Sequence, residues 1–172
     1  MMKRLTVFLI FTFTFLLSYA QPAATTVKFQ ALEMGRAMVA GDSKGFAKYM
    51  LPELVAYGGG AEKVTQMMDS MFAIFKTFGG EVKKITYGNP GKIIKFNKEL
   101  QTTLPQTTEV SSSIADVILT STLVAISRDK GKNWYFFDPA MNKADQLKGK
   151  LPPISPEIVV PPPQPKFIPK EQ

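Results

Sequence analysis

Residues 61–78, AEKVTQMMDSMFAIFKTF, carry the clearest periodicity: Val64, Met67, Met68, Met71, Phe72, Phe75 and Phe78 recur at steps of three and four, and Glu62, Lys63, Asp69 and Lys76 fall elsewhere. This spacing predicts an amphipathic helix with a broad buried face, stopped by Gly79-Gly80. The methionines read as core filler, because a flexible thioether fits irregular gaps, rather than as metal ligands. Upstream, VKFQALEMGRAMVA at 27–40 places Phe29, Leu32 and Val39 near one face, widened by Ala31, Met34 and Met38. A helix is expected there, preceded by a QPAATT loop in which Thr25 or Thr26 is the cap. Gly41 ends it. Asp42 or Ser43 then caps the short amphipathic KGFAKYML, and Pro52 closes that piece. Leu54 to Tyr57 read as a short extended segment before the turn Gly58-Gly59-Gly60.

From residue 81 the period shifts towards two. EVKKITYG forms a strand with Val82 and Ile85 inward, followed by the turn GNPG at 88–91. KIIKFNKELQTTL at 92–104 reads as one alternating strand, with Ile94, Phe96, Leu100 and Leu104 on one side and Lys95, Asn97, Glu99 and Gln101 on the other. One apolar side suits an antiparallel sheet covered on one face. Lys98 shares the Phe96–Leu100 side, either snorkelling to the rim or serving as a pocket cation for a carboxylate. Pro105 marks an edge, bulge or turn. IADVILTSTLVAIS at 114–127 is apolar on both sides and reads as a central strand. After the turn RDKGK, NWYFFD is the second arm of a hairpin. Side chains alternate along it, so Trp134 and Phe136 project opposite to Tyr135 and Phe137 and form no single aromatic platform.

Residues 139–150 read as a loop or short helical piece. The segment 151–172 holds eight prolines, which fits an extended or polyproline-like course. Its Ile154, Ile158, Val159, Val160, Phe167 and Ile168 are apolar, so it either lies against its own domain or docks a partner. The fold class is therefore α+β: N-terminal helices packed on a curved antiparallel sheet, with an extended Pro-rich tail.

Residues 1–20 read as an export leader, with Lys3 and Arg4, the apolar run LTVFLIFTFTFLL and Ser18-Tyr19-Ala20 before cleavage. The apolar run is short of the roughly twenty residues a membrane span needs, so membrane contact is expected only through an uncleaved leader. The domains are then 1–20, 21–150 and 151–172, and the location secreted or periplasmic. The chain has no cysteine, which excludes disulfides, thiol chemistry and a lipoprotein anchor. Its formal charge is +7, but the lysines are scattered and only Arg36 and Arg128 follow the leader, unlike a nucleic-acid surface. It has no histidine either, which removes the commonest general base and metal ligand. Gly58-Gly59-Gly60 lacks the lysine and strand context of a phosphate loop. No cofactor or metal is expected.

The order helix, short helix, short strand, long helix and antiparallel strands over 27–138 resembles the nuclear transport factor 2-like superfamily. KIIKFNKELQTTLPQT, TSTLVAISRDKGKNWYFFD and LPPISPEIVVPPPQP are similar to a group of exported Bacteroidetes-type proteins sharing a strand-Pro-strand stretch, an Asp-x-Gly-Lys-x-Trp hairpin and a proline tail. The superfamily resemblance implies a cone in which helices and sheet can enclose an apolar cavity, used by some members for isomerisation or hydrolysis and by others for binding. Ketosteroid-isomerase-like members place a carboxylate base and a tyrosine or protonated acid in that cavity. The candidates here are Asp42, Asp69, Asp116, Tyr57 and Tyr87, although Asp42 also suits a cap, Asp69 a solvated helix position and Asp116 an exposed strand start. The expectation is a non-enzymatic exported domain binding a small apolar ligand or a protein partner. Met68, Phe72, Phe96, Lys98, Trp134 and Phe136 would line a pocket between the 61–78 helix and the concave sheet. The alternatives are a pocket-carboxylate enzyme and a scaffold that forms a homodimer through its uncovered sheet face.

Overall fold

The computed structural model describes residues 20–140, 147 and 149–170. The leader read from residues 1–20 lies outside the described residues except for Ala20, and so do 141–146 of the segment after the hairpin. Among the described residues four helices come first: α1 (Ala20–Ala40), α2 (Ser43–Ala47), α3 (Pro52–Tyr57) and α4 (Ala61–Thr77). Six strands of the described residues follow: β1 (Glu81–Tyr87), β2 (Ile94–Phe96), β3 (Glu99–Ser111), β4 (Ala115–Ser127), β5 (Tyr135–Phe137) and β6 (Gln164–Pro169). The result is α+β, helices followed by a curled antiparallel sheet that forms a half-barrel. No helix among the described residues is long and apolar enough to cross a membrane.

α1 starts earlier than the pattern implied, so QPAATT is helical rather than a loop. The buried stripe is Ala23, Val27, Ala31 and Met34, whereas Phe29 and Val39, expected inward, are exposed. Small residues on the inner side let the helix come close. At Gly35 a Cβ would lie 3.0 Å from the Tyr87 ring and hydroxyl. α3 replaces the expected extended segment because Pro52 opens a helix readily at its first position and Glu53 suits the positive end of the turn.

The expected single strand over 92–104 is a hairpin. Asn97 and Lys98 both have positive φ, 46° and 66°, and make the tight two-residue turn between β2 and β3. Ile94 pairs with Gln101 and Phe96 with Glu99. Even positions before the turn therefore share a face with odd positions after it, which puts Ile94 and Phe96 opposite Leu100 and Leu104 rather than beside them. Pro105 does not interrupt β3. Its carbonyl accepts from the Gly88 N–H at 2.9 Å, so the absent proline N–H falls on that same edge, in the gap between the end of β1 and the start of β2.

The sheet runs β1-β3-β4-β5, with β2 also on β3 and β6 also on β4. β4 is buried on both faces over residues 123–127, as its two-sided apolar pattern requires. On the helix side Leu123 and Ala125 join Leu104, Tyr87, Trp134 and Phe136 under Val27, Ala31 and Met34. On the other side Val124, Ile126 and Phe137 join Leu51, with Leu54, Tyr135, Leu151, Ile154, Ile158 and Val160 packed against them.

Two devices close the outer sheet edge. The Phe136 N–H donates to Tyr49 O at 2.7 Å, and the Leu51 N–H to Phe136 O at 3.1 Å, which covers β5. Farther along, the Lys170 N–H donates to Ile114 O at 3.1 Å, which fixes the alternation in β6: residues 164, 166 and 168 turn their backbone to β4. Residues 165, 167 and 169 face outward, and two of these are proline, a residue with no donor to offer another strand.

Candidate functional site

The pocket residues read from the pattern do not converge. Trp134 and Phe136 meet in the helix-side cluster, where α1 side chains pack with Leu104 and Leu123. Met68 is buried on α4 outside that cluster, and Phe72 is half-buried on the same helix. Phe96 lies on the opposite sheet face because of the β2–β3 turn, and Lys98 is exposed within that turn. Clefts open on the outer side of α1 instead. One of about 540 Å³ is lined by Lys28, Phe29, Leu32, Asn89 and Pro90. Another of about 230 Å³ lies beside Gln30, Tyr49 and Trp134.

The acid and phenol candidates are also apart. Asp42 caps α2, its Oδ1 accepting from the Gly45 N–H at 2.8 Å. Asp69 is exposed on α4, and Tyr57 is exposed with the Lys150 Nζ 3.8 Å above its ring. Asp116 accepts from the Ser111 hydroxyl at 2.7 Å and pairs with Lys170 at 3.0 Å; these partners hold its carboxyl below the ordinary range. Tyr87 is buried, and loss of solvent pushes its phenol well above the usual value. Its hydroxyl has no hydrogen-bond partner among the described residues, nor does the buried Ser121 hydroxyl. Tyr87 pairs with Gln106 and Gln106 with Ser121, so the three form one row across the helix-side face.

The Asp-x-Gly-Lys-x-Trp stretch has a structural role. Asp129 Oδ1 accepts from the N–H groups of Lys132 and Asn133 at 3.1 and 2.9 Å, and the Ser127 hydroxyl donates to the same oxygen at 2.9 Å. Burial alone would raise the Asp129 carboxyl, but the bonds from Asn133, Ser127 and Lys132 outweigh it and hold the carboxyl low. The Trp134 indole N–H donates to Gly131 O at 3.0 Å. From α1, Gln30 donates to Lys132 O at 2.8 Å and accepts from the Trp134 N–H at 2.7 Å. The motif thus folds the hairpin and docks it on α1.

Two polar linkages had no pattern in the sequence. Gln101, fully buried, donates to Pro153 O at 3.0 Å and accepts from the Ser155 N–H at 2.9 Å, pinning the segment after residue 150 to the sheet. Arg128, just past the end of β4, reaches Glu99 of β3 at 2.8 Å and also Glu53 of α3. The bond to Glu99, then that to Glu53, holds its guanidinium more firmly charged.

The surface feature that stands out is α4. Its apolar arc is broad, as the periodicity required, yet only Val64 and Met68 are buried. Met67, Met71, Ile74 and Phe78 are 62%, 51%, 60% and 71% exposed. On a wheel of 100° per residue these four fall within one narrow stripe beside the Val64–Met68 flank. The expected broad buried face is therefore half covered: α4 leans on α2 and α3 with one flank and leaves the other open. Past the helix end, the Ser113 hydroxyl donates to Phe78 O at 3.4 Å, and the next residue, Ile114, is 75% exposed. Comparison with family models, curated proteins and solved structures found no match.

Proposed function

We propose that this protein is a non-catalytic docking domain that presents the open flank of α4 to a protein partner. The carrying observation is the stripe Met67, Met71, Ile74 and Phe78, each more than half exposed. Scattered apolar side chains are ordinary on a surface, but a contiguous stripe of four large ones marks a contact site. Methionine suits such a surface, since its flexible side chain adapts to the shape it meets. The same reading takes residues 1–20 as an export leader and the half-barrel as a nuclear transport factor 2-like cone, supported by the leader pattern and by helices preceding a curled antiparallel sheet. A dye that fluoresces on apolar surfaces, added to protein dilute enough to be monomeric, tests the docking site. Binding to the wild type that Ile74→Glu removes is expected, and equal dye binding by both would count against the proposal.

One observation favours a second reading, an amphipathic small ligand: the unpartnered buried hydroxyls of Tyr87 and Ser121 on a single row. A buried hydroxyl without a partner is costly, and a ligand's polar group would satisfy it. Native mass spectrometry showing a stoichiometric adduct, lost in Ser121→Ala, would support this reading over the first.

A further inference from the structure

We infer that the partner on α4 is a second copy of this chain, the two helices lying antiparallel about a twofold axis. This rests on the docking reading above and adds the identity of the occupant.

The spacing of the stripe is the first argument. Positions 67, 71, 74 and 78 are separated by four, three and four residues, a sequence that reads the same in both directions. An antiparallel pair therefore sets Met67 of one copy against Phe78 of the other, and Met71 against Ile74. A surface that contacts itself across a twofold axis must have this self-complementarity.

Area is the second. At about 200 Å² for a large side chain, the four exposed fractions amount to roughly 500 Å² per copy, or about 1,000 Å² across the pair. That reaches the lower bound for a specific interface before the flanking residues are counted. Left bare, the same stripe would match the largest apolar patches found on monomers.

The charges agree. On the helical wheel Lys63, Ser70 and Thr77 border the stripe, while Glu62, Asp69 and Lys76 lie on the far side, so no like charges meet at its centre. Antiparallel pairing brings Lys63 towards the carbonyl end of the partner helix, where a cation is favoured. A single bordering cation is also too few for a helix that lies on an anionic membrane, where lysines and arginines crowd the polar face.

The sheet offers no rival route along the edge that β5 and β6 share. β5 is covered there by residues 49–51, and β6 presents Pro165 and Pro169 outward.

The test is sedimentation of the purified exported protein from low micromolar to several hundred micromolar. Wild type is expected to run at twice the chain mass, and Ile74→Glu to weaken association at least a hundredfold; because Ile74 is exposed, that variant should keep its circular dichroism. A dimer indifferent to Ile74→Glu would overturn the α4 pairing. A wild-type monomer whose dye binding is lost in Ile74→Glu would overturn the second copy and leave the docking reading standing. A monomer whose dye binding is unchanged by the substitution would overturn both, as would a monomer that co-sediments with anionic phospholipid vesicles.

Discussion

Gln101 and Ser155, 54 residues apart in the chain, are joined by a 2.9 Å hydrogen bond between the buried side-chain carbonyl and the backbone N–H. With the companion bond to Pro153 O, one amide holds both polar groups of a passing backbone segment and leaves Leu151, Ile154 and Ile158 seated on the sheet.

Gln101→Leu should therefore cost about 2 kcal/mol or more, because it strands a buried donor and acceptor instead of removing a matched pair. Urea unfolding would measure the loss. Limited proteolysis should show faster cleavage within residues 150–163 than in wild type.

The two flanks of α4 should respond differently. Val64→Ala, at a buried position beside Gly58, is expected to cost about 1–2 kcal/mol. Ile74→Glu should change the stability of the monomer by less than about 0.5 kcal/mol, as for an ordinary surface position. Thermal melts of the two variants at low concentration compare these directly.

Backbone strain is concentrated in two hairpins. Lys98 and Lys130 hold φ of 66° and 65°, a region that suits glycine, so Lys98→Gly and Lys130→Gly should each stabilise by up to about 1 kcal/mol. Gly131→Ala should do the reverse, since φ is +87° and the new Cβ would lie 2.9 Å from that of Ala23 on α1. Chemical denaturation of the three variants would show opposite signs.

Acid should weaken the protein through Asp129 and Asp116, whose carboxyls are held low in the folded state. An unfolded chain binds protons at these groups first. Their contribution is thus complete above the ordinary carboxylate range, near pH 4, and is lost as pH falls through the depressed folded values. Asp129→Asn should flatten the acid limb of a stability-against-pH curve. An unchanged limb would show that the Asp129 bonds carry no net stability.

The strands were legible where packing is local and alternation uninterrupted. β4 and the Trp134–Phe137 arm follow their patterns because each residue meets a neighbour across a regular ladder. The 92–104 reading failed at Asn97–Lys98, a dipeptide without the glycine that usually announces so tight a turn, and one missed reversal moved Ile94 and Phe96 to the wrong face. In α1 the largest side chains pointed the pattern at Phe29, whereas close approach to Tyr87 selected the side with Ala23, Ala31 and Gly35. Gln101 was invisible for another reason: its partners lie far along the chain, and nothing local marks a glutamine as buried.

The pairing of β6 with residues 115–120 bears on how the chain reaches its final form. Among the described residues every other strand precedes β6, so Val117, Ile118 and Leu119 have no strand beside them on that border until residues 164–169 are in place. Closing that border joins segments far apart in the chain, so it carries a larger loop-closure cost than the hairpins around it.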